Sequence, residues 1–257
     1  MNWNASGQGT IAVTVSDRGA LLDDVRARLR DGQGFSVATL NLDHVVKLAR
    51  DPKFRDAYRQ QTHITADGKP IVWLARLAGQ RDVSLVPGSE LIDPLCDLAA
   101  AHNVSVALYG ATEATLEQAA RKLQERYPGL SIALCRAPEM GFDPVSRSAS
   151  EDLAAIEASG AKLCFLALGA PKQEILAARA RHVAPNVGFV SIGAGLDFIA
   201  GSQTRAPAWA RAIAAEWLWR LMGNPRRLAG RYAACLAILP ALTVRALRIR
   251  RKGRPVQ

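Results

Sequence analysis

Short unbroken runs of apolar residues recur along the first 200 or so positions. Each is followed by a stretch in which apolar residues return every three or four places. Phe35–Leu40 (FSVATL), His63–Ala66, Val104–Tyr109 (VSVALY), Ser131–Leu134, Lys162–Leu168 (KLCFLAL) and Val187–Ile192 (VGFVSI) read as strands. Leu42–Arg50, Pro52–Gln61, Ile71–Ala78, Glu90–His102, Glu113–Arg126, Ser150–Ala158 and a stretch from Pro171 to about Arg181 read as helices. Pro52 suits a first helical position, and Thr112 and Ser150 suit N-caps. Continuous apolar strands alternating with helices predict a mostly parallel sheet covered on both faces, an α/β sandwich.

In such sheets, ligands bind beyond the carboxyl ends of the strands. The pattern therefore directs attention to Asn41, Asp67-Gly68, Gly110-Ala111-Thr112, Gly169 to Glu174, and Gly193 to Asp197. A partly shielded carboxylate at Asp67 suits a general base, although Asp-Gly is also an ordinary turn pair. In Gly169-Ala-Pro171-Lys172-Gln173-Glu174 the free N–H groups of a helix start and the Lys172 charge favour an anion. An ordinary first turn, with Glu174 complementing the helix dipole, reads equally well. Gly110-Ala111-Thr112 and Gly193-Ala-Gly195 are possible phosphate or sugar cradles, but neither is G-x-G-x-x-G and no P-loop occurs. A dinucleotide dehydrogenase is thus poorly supported. No Asp-x-Asp pair occurs, the four histidines lack ligand spacing, and the four cysteines form no C-x-x-C pair. No metal site, disulfide framework or cofactor is expected.

The pattern changes near position 202. From Ser202 to Gln257 there are 11 Arg and 1 Lys against the single acid Glu216. The whole chain has 33 basic and 23 acidic side chains, so residues 1–201 hold 21 and 22 and are close to neutral. Two units are expected: an α/β body over 1–201 and a basic helical appendage over 202–257. Pro207–Met222 reads as a helix closed by Gly223, and a second begins at Pro225 and can run past Pro240 to about Arg251. Its longest apolar stretch, Ala233–Val244, is 12 residues broken by Pro240, short of the roughly 20 a spanning helix needs. Arginines mixed with Trp209, Trp217 and Trp219 suit an interfacial helix on anionic lipid, or a nucleic acid by the same chemistry. No signal peptide is visible, so a cytoplasmic protein is expected, lying on the membrane if it meets one.

These motifs together resemble the WecG/TagA/CpsF family of bacterial glycosyltransferases. The resemblance rests on Thr39-Leu-Asn41, Thr65-Ala-Asp67-Gly68 with WLARLAG, Pro87-Gly-Ser-Glu-Leu91, VALYGATEATLEQAARKLQERYPGL, LGAPKQE and GAGLDFIAGSQTRAPAWARAIAAEWLWRLMGNPRRLAGRY. It covers roughly residues 35–235 in order. It implies a Rossmann-like fold and transfer of a sugar from a nucleotide diphosphate, usually UDP, to a polyprenyl-diphosphate-linked acceptor at the inner face of the cytoplasmic membrane. Catalysis would be inverting and metal-independent, with Asp67 as base, Thr39 and Asn41 on the acceptor side and Gln173 at the sugar. Gly68, Gly110, Ala111, Thr112, Gly169, Pro171, Lys172, Glu174, Gly193 and Gly195 would line the substrates. In the basic appendage the family's arginines map onto Arg220, Arg227 and Arg231, leaving Arg245 to Arg254 for lipid headgroups.

One position departs from the pattern: Leu85 stands where many members carry an arginine, and Arg81, Arg76 or a tail arginine would have to replace it. The expected partners are the nucleotide sugar, the lipid-linked acceptor and an anionic membrane surface; a second subunit packed on the tail is the alternative to lipid, and no nucleic acid is expected. The rival reading from another class is a non-enzymatic adaptor, an α/β body held to membrane or nucleic acid by its tail.

Overall fold

The computed structural model describes residues 1–4, 9–204, 206–207 and 216–252, with the backbone alone at Glu216, Arg220 and Arg227. Six strands form one sheet: β1 (Phe35–Leu40), β2 (His63–Ala66), β3 (Val106–Gly110), β4 (Ile132–Arg136), β5 (Leu163–Ala167) and β6 (Gly188–Ser191). Their spatial order is β2-β1-β6-β5-β3-β4 and every pair is parallel. All strands except β4, at one edge, are buried at every position, which is why their sequences run apolar without alternation. The expected parallel α/β sandwich is the architecture found.

Helices α1 (Arg18–Arg30), α5 (Ile92–Ala101), α6 (Glu113–Arg126) and α9 (Gly195–Ala200) pack on one face, through Leu21, Val25, Leu95, Leu116, Leu123 and Leu196. The other face carries α2 (Leu42–Arg50), α3 (Pro52–Arg59) and α4 (Lys69–Leu77) over β1 and β2, and α7 (Arg147–Ala158) and α8 (Lys172–Val183) over β3, β5 and β6. At the β2 edge, the Thr14 N–H donates to the Ile64 carbonyl at 2.9 Å and the Val86 N–H to the Ala66 carbonyl at 2.8 Å. Residues 11–15 and 83–86 thereby cover backbone groups that an open edge would expose.

Three local features differ from the sequence reading. Helix α1 is absent from it: only Leu21 and Val25 are buried in a charged stretch, too weak a periodicity to stand out. Its start is set by Asp17, whose side chain accepts from the Ala20 N–H at 3.0 Å. Helix α7 begins at Arg147, because Ser146 takes the cap role expected of Ser150 and accepts from the Ala149 N–H at 3.1 Å. Ser150 lies one turn in, where its hydroxyl accepts from Arg179 at 2.6 Å. The stretch expected as one helix from Glu90 begins as a 3-10 turn at Gly88–Glu90, and α5 follows from Ile92.

The basic segment contains α10 (Glu216–Gly223) and α11 (Pro225–Lys252). Residues 208–215 of the helix expected over Pro207–Met222, including Trp209, lie outside the described residues. Helix α11 continues through Pro240 and rests on α2 and α4, with Leu242 and Ala246 buried in the core beside β1 and β2. As the sequence allows, the helix passes Pro240, and Leu228–Lys252 is long and apolar enough to cross a membrane by length and composition, whereas the 12-residue apolar stretch alone is too short. About 17% of its most apolar window is buried against the body.

Gly110 closes β3 at φ +106°, and a Cβ built there would lie 2.5 Å from the Ala167 carbonyl oxygen. Both the backbone angle and the close approach require glycine. Gly110→Ala is expected to lower stability by about 1–3 kcal/mol, read as a shift of the guanidinium denaturation midpoint; an unchanged midpoint would mean that β5 yields.

Candidate active site

The loops that follow β2, β1, β6, β5 and β3 emerge side by side on one rim. Neighbouring strands lie about 4.8 Å apart, so the rim from Asp67 to the Gly110 turn spans four steps, about 19 Å. Asp67, Asn41, Gly193 and Gly169 occupy consecutive places on it; Gly110 to Thr112 lie at its far end.

Asp67 follows β2 directly and is half-buried. Its N–H donates to the Leu40 carbonyl at 2.8 Å, extending the β1–β2 pairing by one residue and fixing the backbone from which the carboxylate projects. Gly68, at φ +90°, then turns the chain into α4. Thr39 lies next to last in β1, opposite Thr65, and is 5% exposed. Asn41 caps α2: its side-chain oxygen accepts from the His44 N–H at 3.0 Å, leaving the amide NH2 as the group it offers.

Beneath this rim lies a buried polar cluster that the sequence reading did not anticipate. The Tyr58 hydroxyl donates to the Thr39 carbonyl at 2.8 Å and lies 2.7 Å from His44 Nδ1, which places the His44 proton on that nitrogen. Burial drives the His44 pKa down to about 3, assisted by the Lys47 charge, so the ring is neutral. Burial likewise pushes the Tyr58 phenol well above its usual value, and the negative charges of Glu174, Asp67 and Asp43 act in the same sense. Three carboxylates thus converge electrostatically on one phenol.

The Gly169 to Glu174 segment divides into an outer and an inner part. Gly169 has φ +72°, and a Cβ built on it meets no atom of the described residues within 4 Å. Pro171 occupies the N-cap position of α8 after a cis peptide bond, and Lys172 is exposed. Gln173 and Glu174 turn inward, 3% and 0% exposed. Gln173 Nε2 donates to Glu174 Oε1 at 2.8 Å, and Gln173 Oε1 accepts from the Gly193 N–H at 3.2 Å. Gln173 therefore ties α8 to the loop after β6, with Glu174 behind it rather than on the rim.

The glycines separate in the same way. Among the described residues a Cβ on Gly193 would meet nothing within 4 Å, as on Gly169, whereas on Gly195 it would lie 2.6 Å from Ile92 Cδ1. Gly193 and Gly169 are thus approachable from outside; Gly195, like Gly110, is required by internal packing. Ala111 at φ +53° donates its N–H to the Ala167 carbonyl at 3.0 Å, and the exposed Thr112 caps α6 by accepting from the Thr115 N–H at 3.2 Å.

The tail reaches this rim through ions. Asp43 on α2 lies 2.8 Å from Lys47 Nζ and 3.0 Å from an Arg231 guanidinium nitrogen on α11. Lys47 Nζ also donates to the Ala170 carbonyl at 3.1 Å, in the loop after β5. A groove of about 390 Å³ between α2 and α11 is lined by Asp43, Lys47, Arg50 and Arg231, among others. The Asp43–Lys47 spacing of four on a helix is the signal that would have marked the pair in the sequence. Arg231, expected to face a diphosphate, is held by Asp43; the side chains of Arg220 and Arg227 lie outside the described residues, as does Arg254. Of the later arginines, Arg245 donates to the Asn4 carbonyl at 3.4 Å.

On α10, Trp217, Leu218, Trp219 and Met222 are exposed by 37–63%, and Trp217 packs edge-on against Tyr232 of α11. Trp73 on α4 is 58% exposed. Leu85 is exposed beside β2, and Arg76, one suggested replacement for the missing arginine, donates to the Val83 carbonyl at 2.9 Å, within the same loop. Among the described residues no three His, Cys, Asp or Glu side chains group as a metal site. A smaller hollow of about 240 Å³, lined by Arg28, Phe35, Arg181 and Phe189, opens at the amino ends of β1 and β6, away from the rim.

The family model described as "Glycosyl transferase WecG/TagA/CpsF family" matches residues 9–255. An N-acetylglucosaminyldiphosphoundecaprenol N-acetyl-beta-D-mannosaminyltransferase of Bacillus spizizenii is 27% identical over 199 residues, 77% of this chain and 75% of that protein. A protein of the same name from Bacillus subtilis is 27% identical over 195 residues, 76% and 73% of the two chains.

Burial pushes the Glu174 carboxyl from 4.5 up to about 7, against the opposing pull of the Gln173 N–H. The folded protein then retains a proton that the unfolded chain releases, so stability from this group is full below pH 4.5 and is lost as pH rises toward 7. His44 slopes the other way, losing stability as pH falls from 6.5 toward 3. Subtracting the stability–pH curve of Glu174→Gln from that of the wild type should isolate a fall between pH 4.5 and 7; a flat difference would mean that Glu174 is ionised in the fold.

Proposed function

The chain belongs to the WecG/TagA/CpsF family of glycosyl transferases, and from that premise we propose that it moves a hexose or N-acetylhexosamine from a UDP-sugar to a sugar carried on a polyprenyl diphosphate. N-acetylmannosamine onto a lipid-linked N-acetylglucosamine is the reading favoured by the printed names of its relatives. The product belongs to the assembly of a surface polysaccharide. The observation that carries the proposal is the row Asp67, Asn41, Gly193 and Gly169 on adjacent strand ends.

Transfer with inversion needs a base for the acceptor hydroxyl, alignment of that hydroxyl with the anomeric carbon, and stabilisation of the departing diphosphate. Asp67 is assigned as the base: its backbone is fixed by the Leu40 carbonyl, and it lies at the end of the row where an acceptor arrives. Thr39, the Asn41 amide NH2 and Gln173 align the two sugars. The Gly169 and Gly193 loops, open to close approach, surround the donor sugar and its diphosphate. The nucleotide extends along the rim toward Gly110 to Thr112. Arginines of the tail take the charge of the leaving diphosphate in place of a metal ion, a task for which a planar guanidinium fork is well suited.

The acceptor is a membrane lipid, so the enzyme works at the inner face of the cytoplasmic membrane. The support is the exposed Trp217, Leu218, Trp219 and Met222 on α10, next to an arginine-rich α11. Aromatic and apolar side chains beside cations are the composition of a helix held at an anionic lipid surface. The body over 1–201 and the tail over 202–257 divide the work between choosing the sugar and reaching the lipid.

Asp67→Asn is expected to lower transfer by at least about 10²-fold while UDP still raises the melting temperature of the variant. Release of UDP in the presence of a polyprenyl-diphosphate sugar measures the first, and thermal unfolding the second. Near-normal turnover would remove Asp67 as base. A melting temperature unmoved by any nucleotide sugar, in wild type as well, would favour a non-enzymatic adaptor.

A further inference from the structure

The inner part of the α8 start contains a carboxyl group that the mechanism above does not use. Glu174 is wholly buried, and among the described residues its Oε2 has no hydrogen-bond partner. The same holds for the Ser191 hydroxyl at the end of β6, two residues before Gly193. A buried carboxyl is costly to retain. Its other oxygen, Oε1, faces Gln173 Nε2 at 2.8 Å. The Glu174 backbone carbonyl is itself held by Gln61 Nε2 at 3.0 Å, across the contact between α3 and α8.

The consequence concerns the orientation of an amide. The NH2 and oxygen of a glutamine are nearly equal in size, so packing alone does not choose between the two orientations. Glu174 Oε1 accepts from Gln173 Nε2 at 2.8 Å, so the Gln173 NH2 is turned toward it. The Gln173 oxygen must then turn outward, where it receives the Gly193 N–H at 3.2 Å. Gly193 has φ +55°, and its loop is open to approach from outside. The acceptor in the core and the Gly193 N–H thus hold Gln173 in one orientation, and the acceptor anchors the end that faces away from the loop after β6.

We propose that Glu174 is a positioning residue for sugar transfer, fixing the Gln173 amide and, through it, the Gly193 loop against which the donor sugar lies. The inference rests on the proposed glycosyl transfer for its substrate, but its geometric part can be tested without activity. Glu174 touches no substrate: it acts through Gln173.

The test uses the full chain with Glu174→Gln, Glu174→Met, Gln173→Ala and the double variant Gln173→Ala/Glu174→Met. Glutamine retains an acceptor oxygen at position 174, whereas methionine fills the volume without one. Glu174→Gln should keep kcat/KM within about threefold of wild type, and Glu174→Met should lose about tenfold, the factor expected for one hydrogen bond. The double variant should be no worse than Gln173→Ala alone, since removing the amide removes what Glu174 orients. In 15N spectra the Gln173 side-chain NH2 should exchange slowly in wild type and Glu174→Gln, and quickly in Glu174→Met. Equal tenfold losses on adding Glu174→Met to wild type and to Gln173→Ala would overturn the proposal, because a merely structural role is additive. So would unchanged exchange in Glu174→Met. If no nucleotide sugar supports transfer by the wild type, the functional reading fails, and the exchange data alone decide whether Glu174 orients Gln173. Glu174→Gln, near-isosteric, decides the rescue if the methionine variant does not fold.

Discussion

Every strand of the sheet runs in the same direction, and this single constraint organises the site. A parallel pair cannot be closed by a hairpin, so each strand must be followed by a crossover that returns to the starting end. All segments leaving the strands therefore emerge on one rim, and every residue that follows a strand becomes a neighbour of the others. Asp67, Asn41, Gly193 and Gly169 are up to about 150 positions apart in the chain. They stand on adjacent strands because β2, β1, β6 and β5 are adjacent. The burial of both faces excludes water from beneath the rim and makes hydrogen bonds there count for more than on the surface.

A second layer of organisation lies where α2, α3 and α8 meet over β1 and β6. His44, Tyr58, Gln61 and Glu174 occupy what would otherwise be an apolar interior, Tyr58 and Gln61 bonded to backbone carbonyls, His44 to the Tyr58 hydroxyl and the Glu174 carboxyl to the Gln173 amide. Tyr58 holds the carbonyl of Thr39; Gln61 holds that of Glu174; Glu174 holds the side chain of Gln173. A polar network of this kind fixes positions that packing alone leaves loose. It also concentrates negative charge: Asp43, Asp67 and Glu174 all raise the energy of an ionised Tyr58.

The strands, their parallel arrangement and the loops of the rim were legible because burial on both faces writes itself into the sequence as unbroken apolar runs. Helix α1 was not, because two buried residues in a charged stretch leave almost no pattern. The cap at Ser146 was displaced by a turn from Ser150 because serines stand at both places and only the backbone chooses between them. The candidate base and its neighbours could be named from Asp67-Gly68, T-L-N and P-K-Q-E. What the sequence could not tell is which of them face outward. Gly110 and Gly195 resemble Gly169 and Gly193 as letters, yet carbonyl and side-chain contacts crowd the first pair and leave the second open. Glu174 resembles a first-turn acid complementing a helix dipole and is instead fully buried. Such differences depend on which strands become neighbours, and no local pattern contains that.

The pairing of Asp43 with Arg231 gives the tail a dual loyalty. One guanidinium at 3.0 Å from a carboxylate on α2 must either keep that partner or share itself with any phosphate that comes near. Whatever free energy a diphosphate gains from Arg231 is reduced by what Asp43 loses, and the reverse holds with equal size, since coupling between two equilibria is reciprocal. Helix α11 is about 42 Å long and is seated further along by Leu242 and Ala246. If tail arginines hold the donor's diphosphate as proposed, donor affinity and the seating of α11 are two readings of one equilibrium.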